Sequence, residues 1–261
     1  MAIRGVSFVL GHTLMELDGT WAEMFERGSL DLARFLAEHE PGIDGEALAR
    51  TWLDRRGEGF ARARETMREV TAEDSMRWSF RQFGIHDPGP ELLFGAIDAF
   101  FACEEARWFA YPEAVPMLRT LSSRGLRLGM FSNATHDPLI QRLVDRLGFR
   151  RWLDPALSSA STGIRKPDPA AFSPILQAWA LPPEAVVMVG DTLEADILGA
   201  RRAGMRAVWF RSREDARQEG NADRPDTQLP AVPDATITCL DELPPALRRY
   251  TKASPAFGHS D

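Results

Sequence analysis

The sequence predicts an α/β protein in which a Rossmann-like, doubly wound parallel sheet carries an inserted all-helical cap domain. After residue 112, short apolar runs of strand length alternate with amphipathic segments. A further apolar run opens the chain, and the stretch between them repeats apolar residues at helical spacing. We therefore predict a core domain of residues 1–15 and 108–261 and a helical cap domain of residues 16–107.

The opening run, from Ile3 to Leu10, has the length of a buried strand and ends at Gly11. In the cap domain, four segments predict amphipathic helices: LDLARFLAEH, GEALARTWLDRR, DSMRWSFRQFG and ELLFGAIDAFF. We predict no strand in this domain. Four arginines of this domain indicate a solvated helix face. The alternative is that one of them contacts a substrate. They are Arg55, Arg56, Arg62 and Arg64.

The core domain alternates predicted helices with predicted strands. AVPMLRTLSSRG predicts a helix before the strand LRLGMFSN, and PLIQRLVDRLG predicts the next helix. AAFSPILQAWA then precedes the strand AVVMVGD, and ADILGARRAG precedes the strand AVWF. Each strand is a continuous apolar run, as expected where helices cover both faces of a parallel sheet. Polar residues 212–232 predict a surface loop, DATITCLDELPPAL an edge strand and a short helix, and TKASPAFGHSD a frayed tail.

Composition limits the partners and the compartment. The formal net charge of −7 argues against nucleic acid and anionic membranes as partners, so we expect a small soluble ligand. Cys103 and Cys239 lie far apart and form no CxxC pair, which favours packed thiols in a reducing compartment. We find no secretory signal pattern and no apolar stretch of about 18 residues, so we expect a cytoplasmic protein. The sequence indicates no oligomeric state.

Residues that could carry chemistry follow the predicted strands at the point where each strand ends. Ligands of open parallel sheets bind at these carboxyl ends. Ser132 can donate to phosphoryl oxygens, Lys166 can neutralise their charge, and Asp191 can hold a hard cation. We therefore predict a site for a phosphate group and a divalent cation. Its segments are Val9-Leu10-Gly11-His12-Thr13, Ser132-Asn133, Arg165-Lys166-Pro167-Asp168, and Gly190-Asp191 followed by Asp196.

The order of these motifs resembles the haloacid dehalogenase (HAD) superfamily with a helical cap of its first class. GDTLEADILGARRAGM combined with KPDPAAF carries most of the resemblance, which covers the chain to about residue 211 and extends through about residue 247. It implies a Mg²⁺-dependent phosphatase-type hydrolase that acts on a small phosphorylated metabolite.

The resemblance also implies roles for individual residues. It assigns the phosphate group to Thr13, Ser132, Asn133 and Lys166, and it makes Lys166 the residue that stabilises the nucleophile and the phosphoryl charge. It assigns Mg²⁺ to Asp191, Asp196 and the backbone carbonyl of Gly11, with Asp196 supporting either the metal or Lys166.

The first motif departs from the family pattern. HAD phosphatases end their first strand with D-x-D-G-T, in which the first Asp attacks phosphorus and the second is the general acid and base. Val9 and Gly11 stand at these two positions, His12 takes the glycine position, and Thr13 is retained. Valine has no nucleophilic atom, so the covalent route is closed. Mg²⁺ loses one anionic ligand, so we expect it to bind more weakly.

Three functional hypotheses follow. The first is a phosphatase-type hydrolase impaired at Val9. The second is a pseudo-phosphatase that binds a phosphorylated ligand or a protein partner without turnover. The third is a single substitution at Val9 in an otherwise active protein, because the other motifs are intact. A dehalogenase is less well supported, because its chemistry also needs the first Asp.

Two local alternatives accompany this assignment. Residues 16–20, E-L-D-G-T, are superficially closer to the family motif, but no apolar strand directly precedes them. Asp18 is therefore better explained as a turn or capping residue. His136 either lines the crevice or only begins the next helix.

Overall fold

The computed structural model describes residues 2–211 and 232–251. The surface loop predicted at residues 212–232 and the predicted frayed tail lie outside this part of the chain, apart from residues 232 and 251. Among the described helices, none is long and apolar enough to cross a membrane.

Six of the described strands form one sheet in the order β5-β4-β1-β6-β7-β8, and every neighbouring pair in it is parallel. The two others, β2 and β3, form a separate antiparallel ribbon. The bounds are β1 Gly5–Phe8, β2 Met15–Leu17, β3 Trp108–Ala110, β4 Arg127–Ser132, β5 Ala156–Ser158, β6 Val186–Gly190, β7 Arg206–Phe210 and β8 Ala235–Ile237. The predicted fold class is confirmed.

Strand β1 lies at the centre of the sheet, between β4 and β6. Val6 pairs with Leu128 on one side and with Val187 on the other. All residues of β1 and β6 are buried because helices cover both faces of the sheet. This register brings the carboxyl ends of β1, β4 and β6 to the same edge.

Four helices lie between the strands of the ribbon, and we call them the helical insertion. They are α1 Trp21–His39, α2 Gly45–Thr66, α3 Ala72–Gln82 and α4 Pro90–Arg107. Their starts follow from capping: Thr20 and Glu23 form a capping box before α1, and the Asp44 side chain accepts from the Ala47 N–H at the start of α2. Helices α1 and α4 cross closely at Gly28, where an added Cβ would overlap the Phe100 carbonyl.

The remaining helices cover the sheet. They are α5 Ala114–Ser123, α6 Asp137–Arg146, α7 Ser159–Thr162, α8 Ser173–Trp179, α9 Gly199–Arg202 and α10 Leu243–Thr251. The helix predicted from ADILGARRAG differs in detail, because it begins as a π-helical turn, Leu193–Leu198, before α9. That wider turn places the Asp196 side chain beside Gly190 at the end of β6.

The ribbon corrects the prediction that residues 16–107 contain no strand. Leu17 pairs with Trp108 and Met15 with Ala110, so strand β2 extends two residues into the predicted cap domain. Each strand of the ribbon has three residues, which is too short for the period-2 pattern to stand out from the neighbouring helical pattern.

Candidate active site

A cavity of about 380 Å³ lies between the carboxyl ends of β1, β4 and β6 and the helical insertion. Its sheet side includes Val9, Ser132, Lys166 and Asp191. The structure therefore brings together residues that are up to 182 positions apart in the sequence (191 − 9). The volume is within the range of small-molecule sites, which is about 300–1,000 Å³.

Val9 follows β1 directly and continues its hydrogen bonding. Its backbone N–H donates to the Val189 carbonyl at 3.0 Å, and its half-buried side chain lines the cavity. Position 9, where we predicted the nucleophile of the family, therefore lies at the cavity, but its side chain presents only methyl groups.

The turn after Val9 lies against Trp108. A Cβ added at Gly11 would be 3.1 Å from Cη2 of Trp108, so the indole ring takes part of the space that a larger side chain would need. His12 has a positive φ of 57°, a conformation that favours glycine. Its exposed ring contacts the Trp108 ring edge to face, with 5.2 Å between the centroids.

Ser132, at the end of β4, is positioned by the neighbouring strand end. Its Oγ accepts a hydrogen bond from the Leu10 N–H at 2.8 Å. Because the oxygen is the acceptor in this bond, the hydroxyl hydrogen can donate into the cavity. This geometry is suited to a phosphoryl oxygen.

Lys166 is buried at the floor of the cavity. Its ammonium group donates to the Phe131 carbonyl at 2.9 Å and pairs with Asp196 at 2.6 Å. An ammonium group has three N–H donors, so one of them stays available to a ligand. Asn133 holds this loop, because its side chain donates to the Lys166 carbonyl and accepts from the Lys166 N–H, both at 2.9 Å.

Asp191, just after β6, is held by two hydroxyl groups. The buried Thr13 hydroxyl donates to one carboxylate oxygen at 2.9 Å, and the Thr192 hydroxyl donates to the other at 3.3 Å. Burial raises the pKa of Asp191, the nearby Asp196 carboxylate raises it further, and the Thr13 hydrogen bond opposes both effects. Thr13 and Asn133, which we predicted to bind phosphate, thus use their side chains to position other site residues.

The donor set does not fit a Mg²⁺ ion held by the protein alone. Both oxygens of Asp196 are already used, one by Lys166 and the other by the Thr192 N–H. Asp191 accepts hydrogen bonds from two neutral hydroxyl groups and has no cationic partner among the described ion pairs, so it is the carboxylate that a cation could use. The described residues contain no group of three or more acidic, histidine or cysteine side chains arranged around a metal. Mg²⁺ needs near-octahedral oxygen coordination, which one carboxylate does not provide.

The helical insertion contributes residues that the sequence did not single out correctly. Arg56 is not on a solvated face: it is only 7% exposed and lines the cavity. Burial lowers its pKa to about 10, so it stays charged at neutral pH. The sequence contained a signal for this position, since Trp52, Arg56 and Phe60 recur every four residues and share one face of α2.

Glu104 and Trp108 were not predicted as site residues. Both line the cavity, and the Trp108 Nε1–H donates to a Glu104 carboxylate oxygen at 3.2 Å. Burial raises the pKa of Glu104, and the opposite charge of Arg56 partly counteracts this.

Asp18 and His136, the residues of the two local alternatives, differ in whether they reach the cavity. Asp18 is exposed beside the ribbon, 3.5 Å from Arg107, and the cavity lining does not include it. His136 is buried, lines the cavity and stacks on Phe101 with 5.0 Å between the ring centroids. It also precedes α6 as its N-cap residue, so both descriptions of His136 apply.

Two curated relatives of the chain are phosphatases by name. The chain is 40% identical over 120 residues to a phosphoserine phosphatase of Thermus thermophilus, which covers 46% of this chain and 47% of the relative. It is 34% identical over 161 residues to a ribulose-1,5-bisphosphate 5-phosphatase of Halopiger xanaduensis, covering 61% and 65%. The chain thus spans about half to two thirds of the length of these relatives.

Solved structures share the fold over nearly the whole chain. A 2-haloacid dehalogenase from Pseudomonas syringae pv. Tomato has 28% identity and a TM-score of 0.67, with 95% of this chain and 99% of that chain covered. A HAD phosphatase from Thermococcus onnurineus has 20% identity and a TM-score of 0.58, covering 94% and 98%. The second comparison shows the fold alone.

A profile of the family described as haloacid dehalogenase-like hydrolase matches residues 12–204. The match begins after Val9 and Gly11, so the assignment of these two positions rests on where strand β1 ends. The profile covers most of the chain, and it includes Ser132, Lys166 and Asp191, which meet at one sheet edge. On these grounds, the chain belongs to the haloacid dehalogenase-like hydrolase family.

Proposed function

We propose that this chain is a phosphatase-type hydrolase that binds a small phosphorylated metabolite and whose turnover is suppressed at Val9. One observation carries the proposal: Ser132 and Lys166 each have a donor available on the sheet side of the cavity, and Val9, directly after β1, lines the same cavity. The phosphoryl group would lie at this edge of the sheet, with the remainder of the molecule toward the helical insertion.

The chain's own residues bind and orient the phosphoryl group. The Ser132 hydroxyl donates to one phosphoryl oxygen, and the Lys166 ammonium neutralises charge on another. Asp196 and Asn133 keep Lys166 in place through its side chain and its backbone, respectively. These interactions can bind a phosphate ester in the absence of a nucleophile.

Chemistry is expected to be very slow. Loss of the nucleophile in a well-studied protease lowers kcat about a millionfold, which corresponds to roughly 8 kcal/mol of barrier. Gly11 supplies no acid to protonate the leaving group, so esters with good leaving groups would be favoured. The weak donor set for Mg²⁺ acts in the same direction.

The size of the cavity and the printed names of the relatives support a small substrate. The Thermus relative is named for phosphoserine and the Halopiger relative for a sugar bisphosphate. A cavity of about 380 Å³ holds molecules of this class. We further propose a cytoplasmic location, no nucleic-acid partner and no membrane partner.

A second candidate function is that of a binding protein without turnover. The observation that favours it is the combination of Val9 with a donor set that does not complete a Mg²⁺ site. The two candidate functions predict different results for Val9→Asp. A binding protein would not hydrolyse phosphate esters even with a carboxylate at position 9.

The experiment is hydrolysis of p-nitrophenyl phosphate with and without Mg²⁺ by the chain and by its Val9→Asp variant. The matched control is Val9→Asn, which has the size and polarity of the Asp variant but no carboxylate. We expect turnover from Val9→Asp alone, and only with Mg²⁺, because the second carboxylate improves the metal site.

Each outcome separates the hypotheses. Turnover by Val9→Asp but not by Val9→Asn supports a phosphatase site suppressed at one residue. Absence of turnover in all three proteins, together with retained phosphate binding, supports the binding protein. Substantial turnover by the unchanged chain would show that Val9 is not the nucleophile position.

A further inference from the structure

The cavity contains a cationic side chain on the helical insertion that the phosphate site does not use. Arg56 of α2 is more than nine-tenths buried, and its guanidinium carbon lies 5.0–5.7 Å from the centroids of five aromatic rings. Three of these rings, Phe25, Phe60 and Phe101, line the cavity together with Arg56. The charged end of the side chain is therefore at the cavity wall.

Aromatic rings stabilise a guanidinium group through their faces but accept no strong hydrogen bond from it. Accordingly, the Arg56 Nε has no hydrogen-bond partner among the described residues. A buried N–H group without a hydrogen-bond partner lowers the stability of the protein, and a ligand that accepts a hydrogen bond from it removes this cost. The position of Arg56 in the cavity wall gives a ligand access to it.

Glu104 is the carboxylate whose charge acts on Arg56, but the described ion pairs do not include one between these two side chains. Its carboxylate accepts a hydrogen bond from the Trp108 indole at 3.2 Å. Burial raises the pKa of Glu104, and the Trp108 hydrogen bond and the charge of Arg56 lower it in part. Lys166 differs from Arg56 in this respect, because it has the Asp196 carboxylate at 2.6 Å.

We propose that Arg56 binds a second anionic group of the substrate, a carboxylate or a second phosphate at the end of a short carbon skeleton. A planar guanidinium group forms two parallel hydrogen bonds with either anion. The inference rests on the proposed function, because the first anionic group is the phosphoryl group at Ser132 and Lys166. It makes Arg56 a specificity-determining residue on the helical insertion.

The test uses two probes of nearly equal size. In 3-phosphoglycerate a carboxylate stands where glycerol 3-phosphate has a hydroxymethyl group. Isothermal titration calorimetry with the full chain should show roughly 10- to 100-fold tighter binding of 3-phosphoglycerate, the range for hydrogen bonds to a charged group. Glycerol 1,3-bisphosphate tests a second phosphate in the same way. Whichever of these two probes binds more tightly identifies the preferred second anionic group.

Arg56→Met removes the charge and keeps an apolar side chain of similar length. It should abolish the preference for the second anion and change the affinity for glycerol 3-phosphate by less than about 3-fold. Arg56→Lys retains the charge without the planar fork and should retain part of the preference; it also serves if Arg56→Met does not fold. The matched control is Arg55→Met, because Arg55 pairs with Glu58 at 2.9 Å and the cavity lining does not include it.

The possible failures are distinguishable. If glycerol 3-phosphate binds but neither second anion adds affinity, the role of Arg56 is wrong and the phosphate site stands. The same conclusion follows if Arg56→Met keeps the full preference. If no probe binds the unchanged chain, the proposed phosphate site is wrong, and the inference about Arg56 is overturned with it.

Discussion

At the scale of single residues, the buried pair of Lys166 and Asp196 organises the candidate site. Both side chains are almost completely buried and are 2.6 Å apart. Lys166 also donates a hydrogen bond to the Phe131 carbonyl, and Asp196 also accepts one from the Thr192 N–H. These bonds satisfy further donors and acceptors of the buried pair. Two buried charges are tolerated at this position because their mutual attraction offsets the free energy lost when each is removed from water.

We expect Lys166→Met to lower the free energy of unfolding by about 3–5 kcal/mol, because it leaves the Asp196 carboxylate buried without its partner. Urea denaturation at pH 7 measures this change. The control is Arg50→Met, which breaks the exposed pair with Glu46 at 3.6 Å and should cost at most about 1 kcal/mol. Equal effects of the two substitutions would contradict a stabilising role for the buried pair.

His136 predicts a pH dependence of stability. Burial lowers its pKa below the ordinary value, and the Asp98 carboxylate, 3.4 Å away, partly opposes this. The unfolded chain then takes up the proton first as the pH falls. Stability is present above the unfolded pKa, near 6.5, and is lost as the pH falls through the lower native pKa.

The variant His136→Phe keeps an aromatic ring against Phe101 and removes the titration. We expect its free energy of unfolding to fall less than that of the unchanged chain between pH 7.5 and pH 5.5. Urea denaturation at several pH values in this range gives the comparison. An identical pH dependence for both proteins would show that His136 does not contribute.

The sequence predicted the sheet side of the site better than the side on the helical insertion. Ser132, Lys166 and Asp191 follow strands or precede a helix in recognisable motifs, so their meeting follows from parallel topology. Arg56 and Glu104 lie inside helices, and their direction depends on how α2 and α4 pack. That packing depends on contacts between segments that are distant in the sequence. The periodicity of a single segment does not predict such contacts.

At the scale of the elements, the end of β6 and the π-helical turn after it depend on Gly190. A Cβ added there would overlap the carboxyl group of Asp196, and it would lie 2.6 Å from the Asp196 Cβ. The close approach is what allows Asp196 to contact both the Thr192 N–H and Lys166. A glycine at this position is therefore a requirement of packing.

We expect Gly190→Ala to destabilise the protein by about 1–3 kcal/mol through overpacking and to weaken phosphate binding by displacing Lys166. The same substitution at Gly57, in α2, is the control. A Cβ at Gly57 meets no atom within 4 Å, so Gly57→Ala should stabilise the helix by about 0.5–1 kcal/mol. Thermal unfolding of the two variants should shift in opposite directions, and shifts of the same sign would contradict the packing argument.

Long periodic segments were predicted well, and three of the four described three-residue strands were not. Strands β1, β4, β6 and β7 coincide with the apolar runs, and the predicted helices of residues 16–107 correspond to α1–α4. No strand was predicted at β2, β3 or β5, each with three residues. The equally short β8 was predicted as an edge strand. Such strands form because a neighbouring strand supplies their hydrogen bonds, and that neighbour is distant in sequence.

At the scale of the whole molecule, ligand binding should stabilise the native state. A ligand at 100 times its Kd contributes about 2.7 kcal/mol when it binds the folded chain alone. We expect inorganic phosphate to raise Tm by several degrees and to have a smaller effect on Ser132→Ala, which lacks the hydroxyl donor. Differential scanning fluorimetry across a phosphate series, with chloride at matched ionic strength, checks this. Equal shifts in both proteins would place the phosphate elsewhere.

The β2–β3 ribbon has a mechanical consequence. The chain enters and leaves the helical insertion through two strands that are hydrogen-bonded side by side. The segment between α2 and α3 is also joined to the core, through the backbone N–H groups of Glu69 and Ala72. A rotation of the helices relative to the core would have to break these contacts, and it would shift Trp108, the first residue of β3, relative to Gly11. Arg146 of α6 holds the Trp108 carbonyl at 2.8 Å and would resist this rotation. A movement that opened the cavity at β3 would therefore also change the space around the turn after Val9.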